Sequence, residues 1–353
     1  MSAHGETAKP GVRLRGRWRD HRADALIALV MIGLAVFGAV RDRGLRAHSS
    51  RGQEFFQENQ YDRAGAEYTL AIASDPTCAL AYANRAATWC NQGEPDRAVA
   101  DCDRALALDP RLAVAYANRA GAYLNKGDYE SAVTDAGKAL ELDPKLPQAY
   151  ANRGGARLRL GDLDGAITDC TRAVELDAGL AVAYLTRAAA YQARGDLDQS
   201  LRDFEAVLRL EPGMAAAYAG RAGVHFRRGE DAACVADYGE ALRRDPSMTA
   251  AYVGRAVAHY HLGEAPEALA DFTEAIRRDP NLAAAYAYRG AIELSLGERD
   301  RAIADCTRAV ELEPGLALAY WTRGMAYDQA GDARRAEADR KKAQEIDPAL
   351  GQP

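Results

Sequence analysis

Residues 115–146 read AYANRAGAYLNKGDYESAVTDAGKALELDPKL, and this stretch decides the fold. Apolar residues recur at spacings of three and four on both sides of Gly127, the mark of two amphipathic helices joined at a glycine turn. The spacing predicts a first helix from about Ala115 to Asn125 and a second from about Tyr129 to Glu141. Asp143-Pro144 ends the second, because the residue before proline avoids the helical region and proline cannot donate the next hydrogen bond. The 34-residue pattern runs nine times without insertion or deletion, from residue 45 to residue 350. Tyrosine marks the register at Tyr82, Tyr116, Tyr150, Tyr184, Tyr218, Tyr252, Tyr286 and Tyr320. A fixed period of this length means stacked supersecondary units.

Counting from residues 45, 79, 113, 147, 181, 215, 249, 283 and 317, small residues fall where two helices must approach closely. Position 8 is always Gly or Ala, from Gly52 and Ala86 to Gly290 and Gly324. Position 20 is Ala except for Ser200 and Cys234, and position 27 is Ala except for Val207. Position 32 is Pro except for Ala178, where Gly179 is expected to supply the turn at a looser joint. This pattern resembles the tetratricopeptide repeat over residues 45–350. The resemblance implies an all-α, right-handed superhelical solenoid of helix-turn-helix repeats. Its first helices would line a concave groove that binds a peptide or protein segment.

Two charged rows are constant within the chain. Position 7 is Arg in all nine repeats, from Arg51 to Arg323, and position 23 is Glu67 or Asp in all nine, from Asp101 to Asp339. An arginine stripe could grip acidic ligands. The better expectation is an internal ladder of ion pairs, since a charge repeated in every unit needs a counter-charge in every unit.

Position 6 is the stronger functional lead, with Asn84, Asn118 and Asn152 in succession and Thr186 after them. An Asn amide offers both donor and acceptor and so suits a peptide backbone of any sequence. In the O-GlcNAc-transferase-like branch of the resembled family, a run of Asn here holds an extended peptide. The bland alternative is a solvated helix face. The family's chaperone-tail clamp needs Lys at position 5 and Asn at position 9, and neither row is present. Phe226, Tyr260 and Trp321 add bulk toward the C-terminal half, as a pocket for an apolar ligand side chain or as core. The candidate peptide-binding residues are therefore Asn84, Asn118, Asn152, Thr186, Tyr260 and Trp321. His225 and His259 stand at position 11, where Phe55, Trp89, Tyr123, Tyr191 and Tyr327 stand elsewhere, and read as aromatic substitutes and not as a metal pair. No CxxC, HExxH, GxSxG or phosphate-binding glycine loop occurs, so neither cofactor, metal nor enzymatic activity is expected.

The formal net charge is −6, with +4 on residues 1–44 and −10 on the rest, a poor nucleic-acid binder by charge. Residues 25–40, ALIALVMIGLAVFGAV, carry no charge and are flanked by arginines, with Trp18 nearby. A membrane span takes about 20 apolar residues, so this run is short but can be extended by snorkelling arginines. The expectation is a basic, disordered cytosolic tail over 1–24, a transmembrane helix over 25–41 and the repeats over 45–350. A cleaved signal peptide and a capping helix are the alternatives. The arginine bias favours repeats outside the cytoplasm, whereas six free cysteines favour a reducing compartment. Cys102, Cys170 and Cys306 all stand at position 24 and Cys234 at position 20, which suits small core residues. Position 24 is expected to pack on the following repeat, and Arg340 there in the last repeat marks a polar cap. Together these readings give a single-pass, non-enzymatic scaffold that binds a protein or peptide in its groove. The rival reading is a soluble or secreted subunit that contacts its complex through the convex face.

Overall fold

The structure is a computed structural model that describes residues 41–349. Every regular element among them is helical. Helix α1 covers 41–57, and α2 to α4 are Tyr61–Ser74, Ala79–Asn91 and Pro95–Leu108. Then follow α5 Ala113–Lys126, α6 Tyr129–Leu142, α7 Pro147–Arg159, α8 Leu163–Leu176, α9 Ala181–Arg194, α10 Leu197–Leu210 and α11 Ala215–Arg227. The series closes with α12 Asp231–Arg244, α13 Thr249–His261, α14 Ala265–Arg278, α15 Ala283–Ser295, α16 Arg299–Leu312, α17 Ala317–Gln329 and α18 Ala333–Ile346. The expected helices of the quoted stretch are α5 and α6, each slightly longer than the periodicity predicts.

The turns are set by one residue per repeat. Gly93, Gly127, Gly161, Gly195, Gly229, Gly263, Gly297 and Gly331 all have positive φ, the left-handed conformation that lets a helix end and the chain reverse. Asn59 takes the same position in the first repeat with φ 58°, a conformation Asn tolerates better than most residues. Three second helices, α6, α8 and α18, start where an Asp side chain takes an orphaned amide, as Asp128 accepts from Ser131 N at 3.2 Å. Most second helices stop at an Asp whose carboxylate accepts from the amide two residues on, as Asp143 does from Lys145 at 2.9 Å, whereas α10 and α16 stop at Glu211 and Glu313. Asp177 does the same to Gly179 N at 2.9 Å, so replacing proline by Ala178 leaves this joint like the others. Gly179 does not adopt positive φ, so the carboxylate and not glycine's freedom sets the turn.

The described chain falls into two compact units, divided after Leu112. In the first, α1 to α4 stack in order, with Tyr68 of α2 buried against Gly52 of α1. In the second, the first helices of successive repeats, α5, α7, α9, α11, α13, α15 and α17, each touch the next. Each second helix packs on its own first helix and on the first helix that follows. This makes the unit two-layered, with a core of alanine and a few larger side chains such as Phe272, Ile292, Val207 and Val224.

One expectation is corrected. Among the described residues no helix is long and apolar enough to cross a membrane, so the reading as a single-pass membrane protein with extracytoplasmic or cytoplasmic repeats is not upheld. Residues 1–40, including the apolar run on which that reading rested, lie outside the described residues.

Candidate functional site

The arginine row is consumed inside the repeats. In all repeats from the second to the ninth, Arg at position 7 of the first helix forks onto Asp at position 23 of the second. Arg187 Nε reaches Asp203 Oδ2 at 2.7 Å and Nη2 reaches Oδ1 at 2.8 Å, and Arg323 and Asp339 pair at 2.7 and 2.9 Å. Seven of these eight aspartates are buried, Asp203 at 6 % exposure and Asp169 at 2 %, and Asp305 is half-buried. The tyrosine of position 4 lies against each guanidinium, 5.5 Å from ring centre to Cζ for Tyr184 and Arg187. In four repeats a threonine of the preceding second helix adds a third tie, from Thr69, Thr171, Thr273 and Thr307, as Thr171 accepts from Arg187 Nη1 at 3.1 Å. Hydrogen bonding to the aspartate raises the guanidinium pKa further, so these arginines stay charged and occupied. The first repeat is looser: Arg51 Nε stands 3.5 Å from Glu67, and His48 takes that carboxylate at 2.7 Å. The ladder fixes how the two helices of a repeat meet.

Position 6 is only partly a surface row. The site it faces is filled from position 24 of the preceding repeat. A Cβ on Gly220 would come within 2.4 Å of the Phe204 ring, and one on Gly254 within 2.4 Å of Tyr238. Phe272 stacks on Tyr288 at 5.7 Å between centroids. In these three joints position 24 does reach the following repeat, and Gly220 and Gly254 leave room for the ring that fills it. In the last repeat, the Arg340 stem lies 3.3 Å from where a Cβ on Gly324 would stand, and its head reaches Asp328 at 3.3 Å.

The six candidate residues divide accordingly. Asn84 lies half-buried on α3 in the first unit, its carbonyl accepting from Thr88 Oγ1 at 3.1 Å. Asn118 on α5 and Thr186 on α9 are half-buried. Asn152 on α7 is 8 % exposed and donates Nδ2 to Ala117 O of α5 at 2.9 Å while accepting from Gln148 at 3.0 Å. One of its two amide protons is thus spent stitching two first helices together, and its oxygen is engaged within α7. Trp321 is half-buried on α17. Tyr260 is 42 % exposed on α13 and belongs to a row of rings. Its ring lies 6.5 Å from Tyr288 of α15 and 6.3 Å from His261, whose ring stacks on Phe226 of α11 at 5.4 Å. His261 and Tyr288 complete a patch that reading single positions did not assemble. The signal was present as position 12 of one repeat and position 13 of the next.

Position 11 is not aromatic throughout. Arg157 and Glu293 also stand there. The position faces the aspartate of position 23: Trp89 Nε1 donates to Asp101 Oδ2 at 2.9 Å, and Arg157 Nη1 to Asp169 Oδ2 at 2.8 Å. His225 Nδ1 meets Glu230 and His259 Nδ1 meets Glu264, both at 2.6 Å. Burial pushes the thiols of Cys170, Cys234 and Cys306 up to about 12, which leaves them protonated and unreactive. No group of side chains suited to hold a metal ion occurs among the described residues.

Models of the tetratricopeptide repeat match residues 50–113, 113–146, 147–179, 185–233, 235–283 and 317–350. No curated protein matches. Among solved structures the chain is similar to the APC/C hetero-tetramer Cut9-Hcn1, at 17 % identity and a TM-score of 0.64, over 78 % of this chain and 54 % of that one. The chain thus spans about half the length of that neighbour, and at this identity the likeness is one of fold. A tetratricopeptide repeat protein from Parabacteroides merdae is 22 % identical over 69 % of this chain and 96 % of its own, with a TM-score of 0.48. YrrB, a TPR protein with an unusual peptide-binding site, is 27 % identical over 52 % of this chain and 95 % of its own, with a TM-score of 0.40.

Proposed function

The chain belongs to the tetratricopeptide repeat family, and from that premise we propose that its second unit is a non-enzymatic scaffold that holds a protein or peptide segment along its first helices. The observation that carries this reading is the ring row Phe226, His261, Tyr260 and Tyr288. It crosses three successive first helices, with Phe226 and Tyr260 left 38 % and 42 % exposed. Aromatic side chains held by neighbours offer large contact area at little entropic cost to a ligand's apolar side chain. Asn118 and Thr186 on the same series of helices supply polar groups for a peptide backbone, and Trp321 a second apolar contact. Asn152 contributes mainly by fixing the spacing of α5 and α7. Asn84, in the first unit, would act there independently.

A random peptide library displayed on phage and selected on the full chain tests the proposal. Selected peptides are expected to lose at least about tenfold in affinity to Tyr260→Ala and Phe226→Ala, the size of a modest hot spot. Binding unchanged in both variants, with their unfolding curves intact, would move the interface to the second helices.

A further inference from the structure

The position-11 row carries a titratable device in the eighth repeat. In repeats two and four a permanent donor stands there, Trp89 Nε1 or Arg157 Nη1, each bonded to Oδ2 of the position-23 aspartate. In the eighth repeat the residue is Glu293, a second acid beside Asp305. Asp305 is already held at both oxygens by Arg289, at 2.6 and 2.9 Å. Glu293 Oε2 is buried and has no hydrogen-bond partner. A buried carboxylate oxygen without a donor costs free energy, and two carboxylates around one guanidinium repel. One proton removes the charge, and with it the repulsion and most of the cost of burying Oε2.

We infer that a proton on Glu293 holds α15 against α16, and that its loss loosens the eighth repeat. The charges bearing on Glu293 are Asp305 and Arg301 from α16, Arg289 from α15 and Glu298 from the turn between them. On the other helices packed against α15, Arg255 and His259 of α13 pair with Asp271 and Glu264, Glu274 of α14 with Arg277 and Arg278, and Arg323 of α17 with Asp339, while Glu267 of α14 is exposed. Burial, with the charge of Asp305 second, pushes the Glu293 carboxyl up to about 7. In the unfolded chain it titrates in the ordinary glutamate range. Below that range both states carry the proton and pH has no effect through this group. Between that range and about 7 the unfolded chain has shed the proton while the folded chain keeps it, so stability falls as pH rises. Above about 7 both are charged and the loss is complete.

The test is hydrogen exchange of α15 and α16 peptides in the full chain, comparing wild type with Glu293→Gln, whose amide is a donor at every pH. The ratio of opening constants, wild type over variant, is expected to rise by up to about tenfold per pH unit between about pH 5 and about pH 7 and then level off. Glu293→Tyr, the residue at this position in the third, fifth and ninth repeats, is expected to show the same pH-independent opening as Gln. Infrared spectra of the wild type supply a readout that needs no stable variant. A protonated carboxyl band is expected to persist at about pH 6 and vanish above about pH 8. A flat ratio across the range, or no protonated carboxyl at about pH 6, overturns the inference.

Discussion

Adding one methyl group at Gly220 tests the pairing of positions 6 and 24. Gly220 lies within α11, so alanine there gains about 1 kcal/mol in helix propensity. The new Cβ would stand 2.4 Å from Cε1 and Cζ of Phe204, well inside contact distance. Phe204 is 2 % exposed and packed with Ala188, Val207, Ala217 and Val224, so its ring has nowhere to retreat. Forcing an extra methyl into such a core costs about 1–3 kcal/mol. The clash at two ring atoms belongs in the upper half of that range, so the net loss is about 1–2 kcal/mol after the propensity gain. Gly137 of α6 is the matched control, since a Cβ there meets nothing within 4 Å. Gly137→Ala is expected to gain about 0.5–1 kcal/mol. Urea unfolding of the full chain reads both as shifts of the midpoint at constant slope. Pairing Gly220→Thr with Phe204→Cys copies the combination of Cys170 with Thr186 and of Cys306 with Thr322. That double variant is expected to recover at least about 1 kcal/mol of coupling. A stabilising Gly220→Ala, matching Gly137→Ala, would refute the claim that position 24 fills the space over position 6.

Three further outcomes follow from the same geometry. Asp203→Asn leaves Arg187 with a poorer partner in a mostly buried site and is expected to cost about 2–3 kcal/mol, whereas Arg187→Met with Asp203→Leu is expected to cost less than the single change, both read by urea midpoints. Brief alkylation of the native chain at neutral pH, read by mass spectrometry, is expected to label Cys78 and to leave Cys102, Cys170, Cys234 and Cys306 intact, because those four are buried. Asn152→Ala removes the bond to Ala117 O and is expected to cost about 1–2 kcal/mol in stability, read by the same urea midpoints.

The fold was legible because each repeat restates the same few constraints. Asp-Pro stops, glycine turns and small residues at positions 8, 20 and 27 placed every helix of the quoted stretch within about two residues. The Arg–Asp ladder was legible for the same reason, as two constant rows of opposite charge. The candidate site was read less completely because its residues answer to neighbours in adjacent repeats. Asn152 looks like a groove residue until its amide is found on Ala117 of the previous first helix. Gly220 and Gly254 look like gaps in a polar row until Phe204 and Tyr238 are seen to need the room. The ring patch joins position 12 of one repeat to position 13 of the next, a diagonal that column-wise reading does not follow. Glu293 broke an aromatic column and was passed over, although a lone acid beside a constant aspartate is a signal that sequence alone supplies.

The measurement that bears most directly on the scaffold reading is photo-crosslinking of a selected peptide to the full chain, with a benzoylphenylalanine introduced either at Tyr260 of α13 or at the exposed Leu210 of α10. The account predicts crosslinks from position 260, competed by unlabelled peptide, and none from position 210. Crosslinks from position 210 alone would place the ligand on the second helices and contradict it.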